Sequence, residues 1–281
     1  MARLLGYPNI PTHCLLFQVA SLDLRYLSTL AILGCYTLAI EVDVIQNALI
    51  LQIAYICYMC YHTATPDAAQ LRKTFKDLTV LYNQPEIFHV SGFTRPTLPV
   101  TLNTNIDEIV PARWKLIPFW VKDEAAADKY ANTLNARNDD IFEKASYKNA
   151  IGKYRGLLYV KGFFEPHATD GKKNDQTYFI QDLSSEIFTL GVVWSPWKDY
   201  NTFSIITTEA NDQMAEIHNV GKRMPLIIPA DLRNNWLLAE GREEIENLMQ
   251  PYTGDLKAHR TFRVTSARGI DTNTPEIQNP I

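Results

Sequence analysis

Residues 156–164 read Gly-Leu-Leu-Tyr-Val-Lys-Gly-Phe-Phe, an apolar run that contains β-branched and aromatic side chains. A run of this kind is typical of a strand that is buried on both faces. We therefore predict a central strand over Gly156–Phe164. Glu165 follows directly, so a carboxyl group leaves this buried strand at its C-terminal end.

Outward from this run, strand patterns outnumber helical ones. Thr177–Gln181 and Ile187–Val193 are predicted to form a hairpin, and Asp67–Leu78 and Asp231–Leu238 to form helices capped by their first residues. Strands joined by short connections favour an α+β fold with a largely antiparallel sheet or barrel and peripheral helices. The remaining predictions are strands at Val110–Ile117, Phe203–Thr207 and Met224–Ile228, a helix at Arg242–Met249, and insertion loops at His167–Asn174 and Ser195–Asn201.

The composition of the chain changes near residue 59. All four cysteines lie within the first 60 of the 281 residues, and all five tryptophans lie after them. The cysteine-free remainder excludes a disulfide framework or a cysteine-ligated metal there, and it fits the reducing cytoplasm, where we expect the protein. With 27 basic and 31 acidic residues the chain is not built to coat nucleic acid, although a local basic groove is compatible with this balance.

Residues 1–58 form an apolar leader with few charged side chains. Its apolar runs, Tyr26–Ile40 and Val44–Tyr58, are shorter or more polar than the roughly 20 apolar residues of a membrane-spanning helix. A secretory signal fits poorly, because no basic run precedes a compact apolar stretch with a cleavage site. We interpret this leader as upstream sequence translated from a start placed too early, or else as a propeptide; a membrane anchor is disfavoured.

Several polar residues lie in apolar surroundings after the leader. Besides Glu165, they are His218, which precedes another apolar segment, and the neighbours Asn135 and Arg137. A carboxyl group at the end of a buried strand is either solvated or held in a pocket with a raised pKa that suits acid–base chemistry. Taken singly, each of these residues is more often structural than functional.

The polar residues belong to seven short motifs that occur in a fixed order along the chain. These are Met59-Cys60, residues 113–120 (Arg-Trp-Lys-Leu-Ile-Pro-Phe-Trp), residues 135–137 (Asn-Ala-Arg), residues 162–165 (Gly-Phe-Phe-Glu), residues 206–211 (Ile-Thr-Thr-Glu-Ala-Asn), Ile217-His218 and residues 223–225 (Arg-Met-Pro). In their order and approximate spacing, they resemble the SOS response-associated peptidase family, whose members crosslink to abasic sites in single-stranded DNA. The resemblance covers Met59 to about Asn273.

The resemblance implies a β-rich α+β fold with a positively charged groove, and a catalytic domain over residues 59–281. It also implies site residues. Cys60 corresponds to the nucleophile, Asn135 and Glu165 to its close partners, and His218 to the fourth active-site residue.

The resemblance further implies contacts with DNA. Arg113 and Arg137 are expected to hold phosphates, for which the bidentate geometry of arginine is suited. Trp114 or Trp120 is expected to form part of the DNA-binding wall, with packing in the core as the equal alternative for both. The expected partner is single-stranded DNA with abasic sites; no cofactor, metal or membrane is expected, and the protein is expected to be a monomer.

Four departures from the family pattern concern DNA contact more than chemistry. The family often has Gly-Arg after the cysteine, a glycine after the first tryptophan, an aromatic residue after the glutamate, and fewer residues between the histidine and Arg-Met-Pro. Here these positions hold Tyr61-His62, Lys115, Pro166 and the extra residues 219–222.

The implied chemistry requires Cys60 to be the first residue. A free α-amine, with a pKa of about 8, is more nucleophilic near neutral pH than a lysine at about 10.4. It attacks the aldehyde of an abasic site, and the adjacent thiol then closes a thiazolidine ring. Within a chain the Cys60 nitrogen is an amide, which does not form an imine.

Supporting roles follow for the other residues. Glu165 would move protons or orient the amine, His218 would assist opening of the sugar ring or reversal of the crosslink, and Asn135 would hold the N-terminus. The enzyme class that the resemblance implies is an abasic-site processing protein with peptidase, hydrolase or lyase-type chemistry. A cysteine-dependent amidohydrolase or self-processing peptidase would use the same residues, with Cys60 as nucleophile and His218 or Glu165 as base. A third possibility is a noncatalytic module that binds single strands, which would retain DNA without Cys60 and form no covalent product.

Overall fold

The structure, a computed structural model, describes residues 60–130, 133–169, 172–264 and 270–281, except for the side chains of residues 172–175. The interpretation of residues 1–58 therefore lies outside the described residues.

The strands are β1 (His62–Thr65), β2 (Thr79–Val80), β3 (Ile87–Ser91), β4 (Thr97–Leu102), β5 (Asn105–Trp114), β6 (Asn135–Arg137), β7 (Arg155–Val160), β8 (Gly162–Thr169), β9 (Lys172–Asp182), β10 (Phe188–Trp197), β11 (Tyr200–Glu209), β12 (Arg223–Pro225), β13 (Ile227–Ile228) and β14 (Leu256–Thr261). The α-helices are α1 (Ala68–Thr74), α2 (Glu124–Asp128), α3 (Asp212–Ile217), α4 (Arg233–Leu238) and α5 (Gly241–Leu248).

The strands form two sheets. A five-stranded sheet has the order β14-β9-β8-β1-β3, and a nine-stranded sheet has the order β12-β11-β10-β7-β4-β5-β2 with β6 and β13 beside this path. Because β5 pairs with β11 as well as with β4, the strands β5, β4, β7, β10 and β11 close into a ring. Ten of the thirteen pairings between described strands are antiparallel. The predicted α+β class with a largely antiparallel sheet or barrel is confirmed.

The long apolar run is two strands rather than the single predicted strand. It divides at Lys161, with β7 in the nine-stranded sheet and β8 in the five-stranded sheet. Gly162 opens β8 because a Cβ there would overlap the ring of Phe179 and lie 2.8 Å from the carbonyl oxygen of Ile180. The chain thus changes sheets shortly before Glu165.

The predicted hairpin between Thr177–Gln181 and Ile187–Val193 is wrong, because β9 and β10 belong to different sheets. Instead, β10 pairs with β11 as far as Trp197 opposite Tyr200, so the predicted insertion loop there is mostly strand. The other predicted loop, His167–Asn174, is occupied largely by the ends of β8 and β9.

One of the two predicted helix caps is confirmed. The Asp67 side chain accepts a hydrogen bond from the Gln70 N–H, and the Gln70 side chain accepts one from the Asp67 N–H, at the start of α1. Asp231 lies inside a 3-10 turn that leads into α4 and caps neither element, so that prediction is wrong. Each helix in the described ranges is too short or too polar to cross a membrane.

The main core lies between the two sheets. Its largest cluster joins Phe163 and Ile180 of the five-stranded sheet to Leu158 and Val192 of the nine-stranded sheet, and Cys60 belongs to it. Neighbouring residues on a strand point to opposite faces, so Leu157 of β7 packs with α4 and α5 on the outer face instead.

We predict that Gly162→Ala destabilises the domain by about 1–3 kcal/mol, because the added methyl group overpacks the junction between the sheets. Gly152→Ala is the matched control, since a Cβ at Gly152 has no atom within 4 Å and its φ is not positive. The free energy of unfolding, measured by urea denaturation, tests both variants. Equal stability of the two would contradict the close packing at Gly162.

Candidate active site

Cys60 lies just before β1 with its thiol inside the main core. The residue is 1% exposed, and its Sγ lies 3.8 Å from the carbonyl oxygen of His62. Burial, and secondarily the charge of Glu165, raise the pKa of the Cys60 thiol well above its usual value. The sulfur is therefore a protonated thiol that needs a neighbouring base before it can act as a nucleophile.

Asn135 holds the backbone of Cys60. It opens β6, which is placed by parallel pairing with β11, and its Nδ2 donates a hydrogen bond of 2.9 Å to the Cys60 carbonyl oxygen. The Tyr147 hydroxyl in turn donates to the Asn135 carbonyl oxygen at 2.8 Å. The side-chain oxygen of Asn135 is buried without a hydrogen-bond partner in the described structure, and it is available to accept one.

Glu165 projects from β8 into the space between the sheets. It lies two residues after Phe163 on the same strand and so shares the face that meets the main core. Neither carboxyl oxygen has a hydrogen-bond partner among the described residues, and the residue is 1% exposed. Burial raises the pKa of Glu165 to about 8, although the Cys60 side chain lowers it in part. Glu165 therefore carries a proton at neutral pH.

His218 ends α3, whose first turn is capped by the Asn211 side chain. Its Nδ1 lies 2.8 Å from the carbonyl oxygen of Arg223, which can only accept, so Nδ1 carries the ring hydrogen. The other ring nitrogen, Nε2, is buried and has no partner in the described structure. Burial lowers the pKa of His218, and the Arg223 charge adds to this, while the hydrogen bond to the Arg223 carbonyl opposes it.

Glu165 and His218 form a neutral pair. Their closest approach, 3.8 Å between Oε2 of Glu165 and Nδ1 of His218, is within ion-pair range but longer than a hydrogen bond. The pKa of the acid is raised and that of the base is lowered, both mainly by burial, so neither group is charged near neutral pH. The Glu165 carboxyl group thus lies near the hydrogen-bearing nitrogen of a neutral imidazole, and the unprotonated nitrogen of the same ring, Nε2, is left without a partner in the described structure.

The structure brings four of the predicted residues, Cys60, Asn135, Glu165 and His218, into one buried cluster. Their contacts give a thiol, an amide that fixes its backbone, a carboxyl group that can give or take a proton, and an imidazole base. In the described ranges, no group of three or more metal-ligating side chains is assembled that could hold a metal ion.

The two predicted phosphate-binding arginines are already engaged within the chain. The guanidinium of Arg137 contacts both carboxyl oxygens of Asp139, at 2.9 and 2.5 Å, and Arg223 approaches the same carboxylate at 3.9 Å. Arg113 donates to the Tyr200 hydroxyl at 3.0 Å and lies 4.3 Å from the centre of that ring. Neither contact is deeply buried.

The two predicted tryptophans occupy different environments. Trp114 is fully buried, stacks on Phe203 and donates its ring N–H to the Leu134 carbonyl oxygen, so it takes the core-packing alternative. Trp120 keeps 37% of its surface exposed beside the exposed ring of Phe119. Only Trp120 of the pair is placed to meet a ligand.

Two of the departures from the family pattern make structural contacts that the sequence did not predict. His62 is turned onto the outer face of the five-stranded sheet, where its Nδ1 lies 3.0 Å from Nε2 of His89. Asn219, in the extra segment, makes two hydrogen bonds to the backbone of Ala168 and so ties that segment to β8. Their departure from the family pattern was the one signal that could have marked them.

Together, the fold and the cluster define a cysteine-centred site enclosed between the two sheets of a strand-rich α+β domain. The sequence profile of the SOS response associated peptidase (SRAP) family matches residues 59–267, and the chain belongs to this family.

Individual relatives agree with this assignment. The chain is 27% identical over 220 residues to the abasic site processing protein YoqW of Bacillus subtilis, covering 72% of this chain and 94% of that protein. It is 28% identical over 207 residues to the abasic site processing protein HMCES of Pongo abelii, covering 62% and 57% of the two chains. A crystal structure of a Bacteroides thetaiotaomicron protein, 29% identical, superimposes with a TM-score of 0.69 and covers 79% of this chain and all of that one.

The raised pKa of Glu165 predicts a pH dependence of stability. The folded state keeps the proton up to about pH 8, whereas the unfolded chain releases it near 4.5. The unfolded state therefore binds fewer protons between these values, and the contribution of Glu165 to the free energy of unfolding, fully present below pH 4.5, falls by up to about 1.4 kcal/mol per pH unit as the pH rises.

Glu165→Gln removes this titration and keeps the shape of the side chain. We expect the variant to gain stability relative to the wild type as the pH is raised from about 5 to 8. Urea denaturation of both proteins at several pH values measures the difference. If the two curves stay parallel over that range, the carboxyl group is not protonated in the folded protein.

Proposed function

We propose that this chain captures abasic sites in single-stranded DNA through a thiazolidine formed by Cys60, once Cys60 is the first residue. Support comes from membership of the SRAP family, whose match opens at residue 59, and from relatives named as abasic site processing proteins. The observation that carries the proposal is the hydrogen bond from Asn135 to the Cys60 carbonyl, because it fixes the terminal residue beside Glu165.

The reaction joins an amine, a thiol and an aldehyde with loss of one water. The α-amine nitrogen of Cys60 attacks the aldehyde carbon of the ring-opened sugar and gives a carbinolamine. Loss of its hydroxyl as water leaves an imine. The Sγ then bonds to the imine carbon, the thiol proton passes to the nitrogen, and a five-membered ring results. Both nucleophiles belong to one residue, so ring closure benefits from a high effective concentration.

Glu165 is suited to both proton transfers. Its raised pKa leaves it protonated at neutral pH, so it can donate a proton to the departing hydroxyl of the carbinolamine. The carboxylate that remains can accept the thiol proton when the sulfur attacks. The same group thus acts first as acid and then as base.

His218 offers a base at a second position. Its Nε2 has a free lone pair, because Nδ1 carries the ring hydrogen and holds it against the Arg223 carbonyl. An unprotonated nitrogen in a buried site can remove a proton from the sugar hydroxyl and so favour the open-chain aldehyde. The reverse transfer would assist release of the crosslink.

The strand would reach the site along basic and aromatic side chains. Arg113 and Arg137 are proposed to hold phosphates, with Arg137 exchanging its contact with Asp139 for the strand. The exposed ring of Trp120 is proposed to stack on an unpaired base, a contact worth about 1–3 kcal/mol per base.

A second candidate function uses the same thiol. The placement of Cys60 beside Glu165 favours cleavage of the Met59–Cys60 bond by the chain itself. Sγ would attack the Met59 carbonyl carbon, the bond to the Cys60 nitrogen would break as that nitrogen gains a proton, and water would hydrolyse the resulting thioester. This reaction would expose the amine that the first function needs.

The crosslink is tested with single-stranded DNA that contains an abasic site. A chain begun at Met59, whose methionine is removed, is expected to give a denaturation-resistant shifted band. Cys60→Ala keeps the terminal amine but lacks the sulfur, so it should give a band only after borohydride reduction of the imine. We expect Glu165→Gln to slow crosslinking by roughly 100-fold or more.

Intact-mass analysis must accompany this assay, because it identifies the first residue of each protein. A chain that demonstrably opens with Cys60 and leaves the abasic strand unmodified would refute the proposal. A stable band from Cys60→Ala without borohydride would place the bond elsewhere. For the self-processing reaction, loss of cleavage at Met59–Cys60 in the full-length Cys60→Ala chain is the expected result.

A further inference from the structure

A group of basic residues adopts backbone conformations that side chains rarely tolerate. Among the described residues, the non-glycine positions with positive φ are Arg95 (55°), Lys115 (122°), Lys198 (53°) and Lys222 (46°). Asparagine, aspartate and glycine are the usual residues at such positions, and strain of this kind persists where the surrounding structure imposes it. All four carry a positive charge, which backbone geometry alone does not require.

Three of these cations converge on one short helix. Arg95 Nη1 lies 3.1 Å from Oδ1 of Asp128, Lys115 Nζ lies 3.6 Å from the same oxygen, and Lys198 Nζ lies 3.0 Å from Oε1 of Glu124. The two acids belong to α2, and their side chains are 65% and 69% exposed. The pairs of Arg95 and Lys198 are exposed on both sides, and such pairs contribute little to stability, so another anion can replace the two acids there.

Both the backbone conformation and the burial of Lys115 are energetically unfavourable. Its side chain is 3% exposed, and its Nζ is buried without a hydrogen-bond partner in the described structure. Burial, and after it the charge of Arg95, lower the pKa of Lys115, while Asp128 opposes the shift. A glycine at this position would avoid both the strained φ and the buried charge. A buried cation in a strained conformation indicates that its charge is used to bind an anion.

The three cations that face α2, together with Arg113, form a basic patch, and one turn of this patch is hydrogen-bonded to the chain beside Cys60. The Gly92 N–H donates to the carbonyl oxygen of Tyr61, next to Cys60, and Arg95 follows three residues later. Arg113 lies opposite Thr97 on β4, close to the same turn. The patch comprises Arg95, Arg113, Lys115 and Lys198.

We propose that this basic patch binds the phosphodiester backbone of single-stranded DNA, and that Glu124 and Asp128 of α2 compete with the phosphates for it. A carboxylate placed between two cations satisfies them as a phosphate oxygen does. The strand must therefore displace both acids, which raises the cost of binding undamaged DNA. This inference rests on the proposed function and adds a surface and a control of affinity to it.

The structure of α2 is suited to a segment that a bound strand can displace. We call its two acids, Glu124 and Asp128, the acidic cover of the patch. The helix is one turn long, capped by the Asp123 side chain, and attached through Ala127 to a small apolar cluster with Val121 and Trp197. Its acids face the patch without being buried in it. The exposed rings of Phe119 and Trp120 lead directly into this segment and offer stacking surfaces beside the phosphate sites.

The test uses the double variant Glu124→Gln, Asp128→Asn in the otherwise complete chain, which removes both negative charges of the cover. Binding of an undamaged oligo-dT strand is measured by fluorescence anisotropy over a range of salt concentrations. We expect binding at low salt to tighten by about tenfold, and the slope of log K against log salt to steepen by roughly 0.7 for each additional phosphate that the protein neutralises.

A control variant, Asp231→Asn with Glu243→Gln, removes the same charge from exposed acids for which the described structure shows no ion pair. It should leave the slope unchanged. Lys115→Met or Arg95→Gln, added to the neutralised cover, should abolish most of the increase in affinity. If the control tightens binding as much as the cover variant, or the added substitutions leave the increase intact, the proposed competition is refuted.

Crosslinking to an abasic strand, measured in parallel, separates this inference from the proposed function. A steeper salt slope without any crosslink would support the phosphate surface and contradict capture by Cys60. Crosslinking with a salt slope equal to that of the control would support capture and refute the role of α2.

Discussion

The site depends on a carboxyl group buried without a hydrogen-bond partner. An unsatisfied polar group in a protein interior costs about 1–3 kcal/mol, and considerably more if it is ionised. Glu165 limits this cost by keeping its proton, as its raised pKa shows. The domain therefore maintains a proton donor at neutral pH at the place where the thiol of Cys60 lies, and the two sheets around it serve to exclude water.

Each neighbour of Glu165 is fixed by one hydrogen bond between a side chain and the backbone. The carbonyl of Arg223 sets the tautomer of His218, and the amide of Asn135 holds the carbonyl of Cys60. Each of these contacts comes from a strand of the nine-stranded sheet, whereas Glu165 comes from the other sheet. Because Cys60 precedes β1, which pairs with β8, a shift of one sheet against the other would move Asn135 and His218 away from Cys60 and Glu165. The close contact at Gly162, where the chain changes sheets, therefore bears on the geometry of the cluster.

The sequence predicted the strand-rich class, because alternation of apolar residues is a local property. Its ordered motifs also singled out the four residues that the structure brings into one buried cluster. It did not predict that the run over Gly156–Phe164 divides between two sheets, since the division follows from the pairing of β7 with β4 and of β8 with β1, which are distant in the sequence. The assignment of strands to sheets failed for β9 and β10 for the same reason. Burial decided between the alternatives for Trp114, and burial is a property of the folded chain.

The amino-acid composition also did not indicate how the charges are arranged on the folded chain. A net charge of −4 hides the fact that several arginines and lysines near the site each face an exposed carboxylate. Asp139 stands between Arg137 and Arg223 much as Asp128 stands between Arg95 and Lys115. Such pairs are weak in water and are replaced readily by the denser charge of a phosphate backbone. An acidic chain can therefore carry local groups of cations whose charge is offset by exposed acids of the same chain.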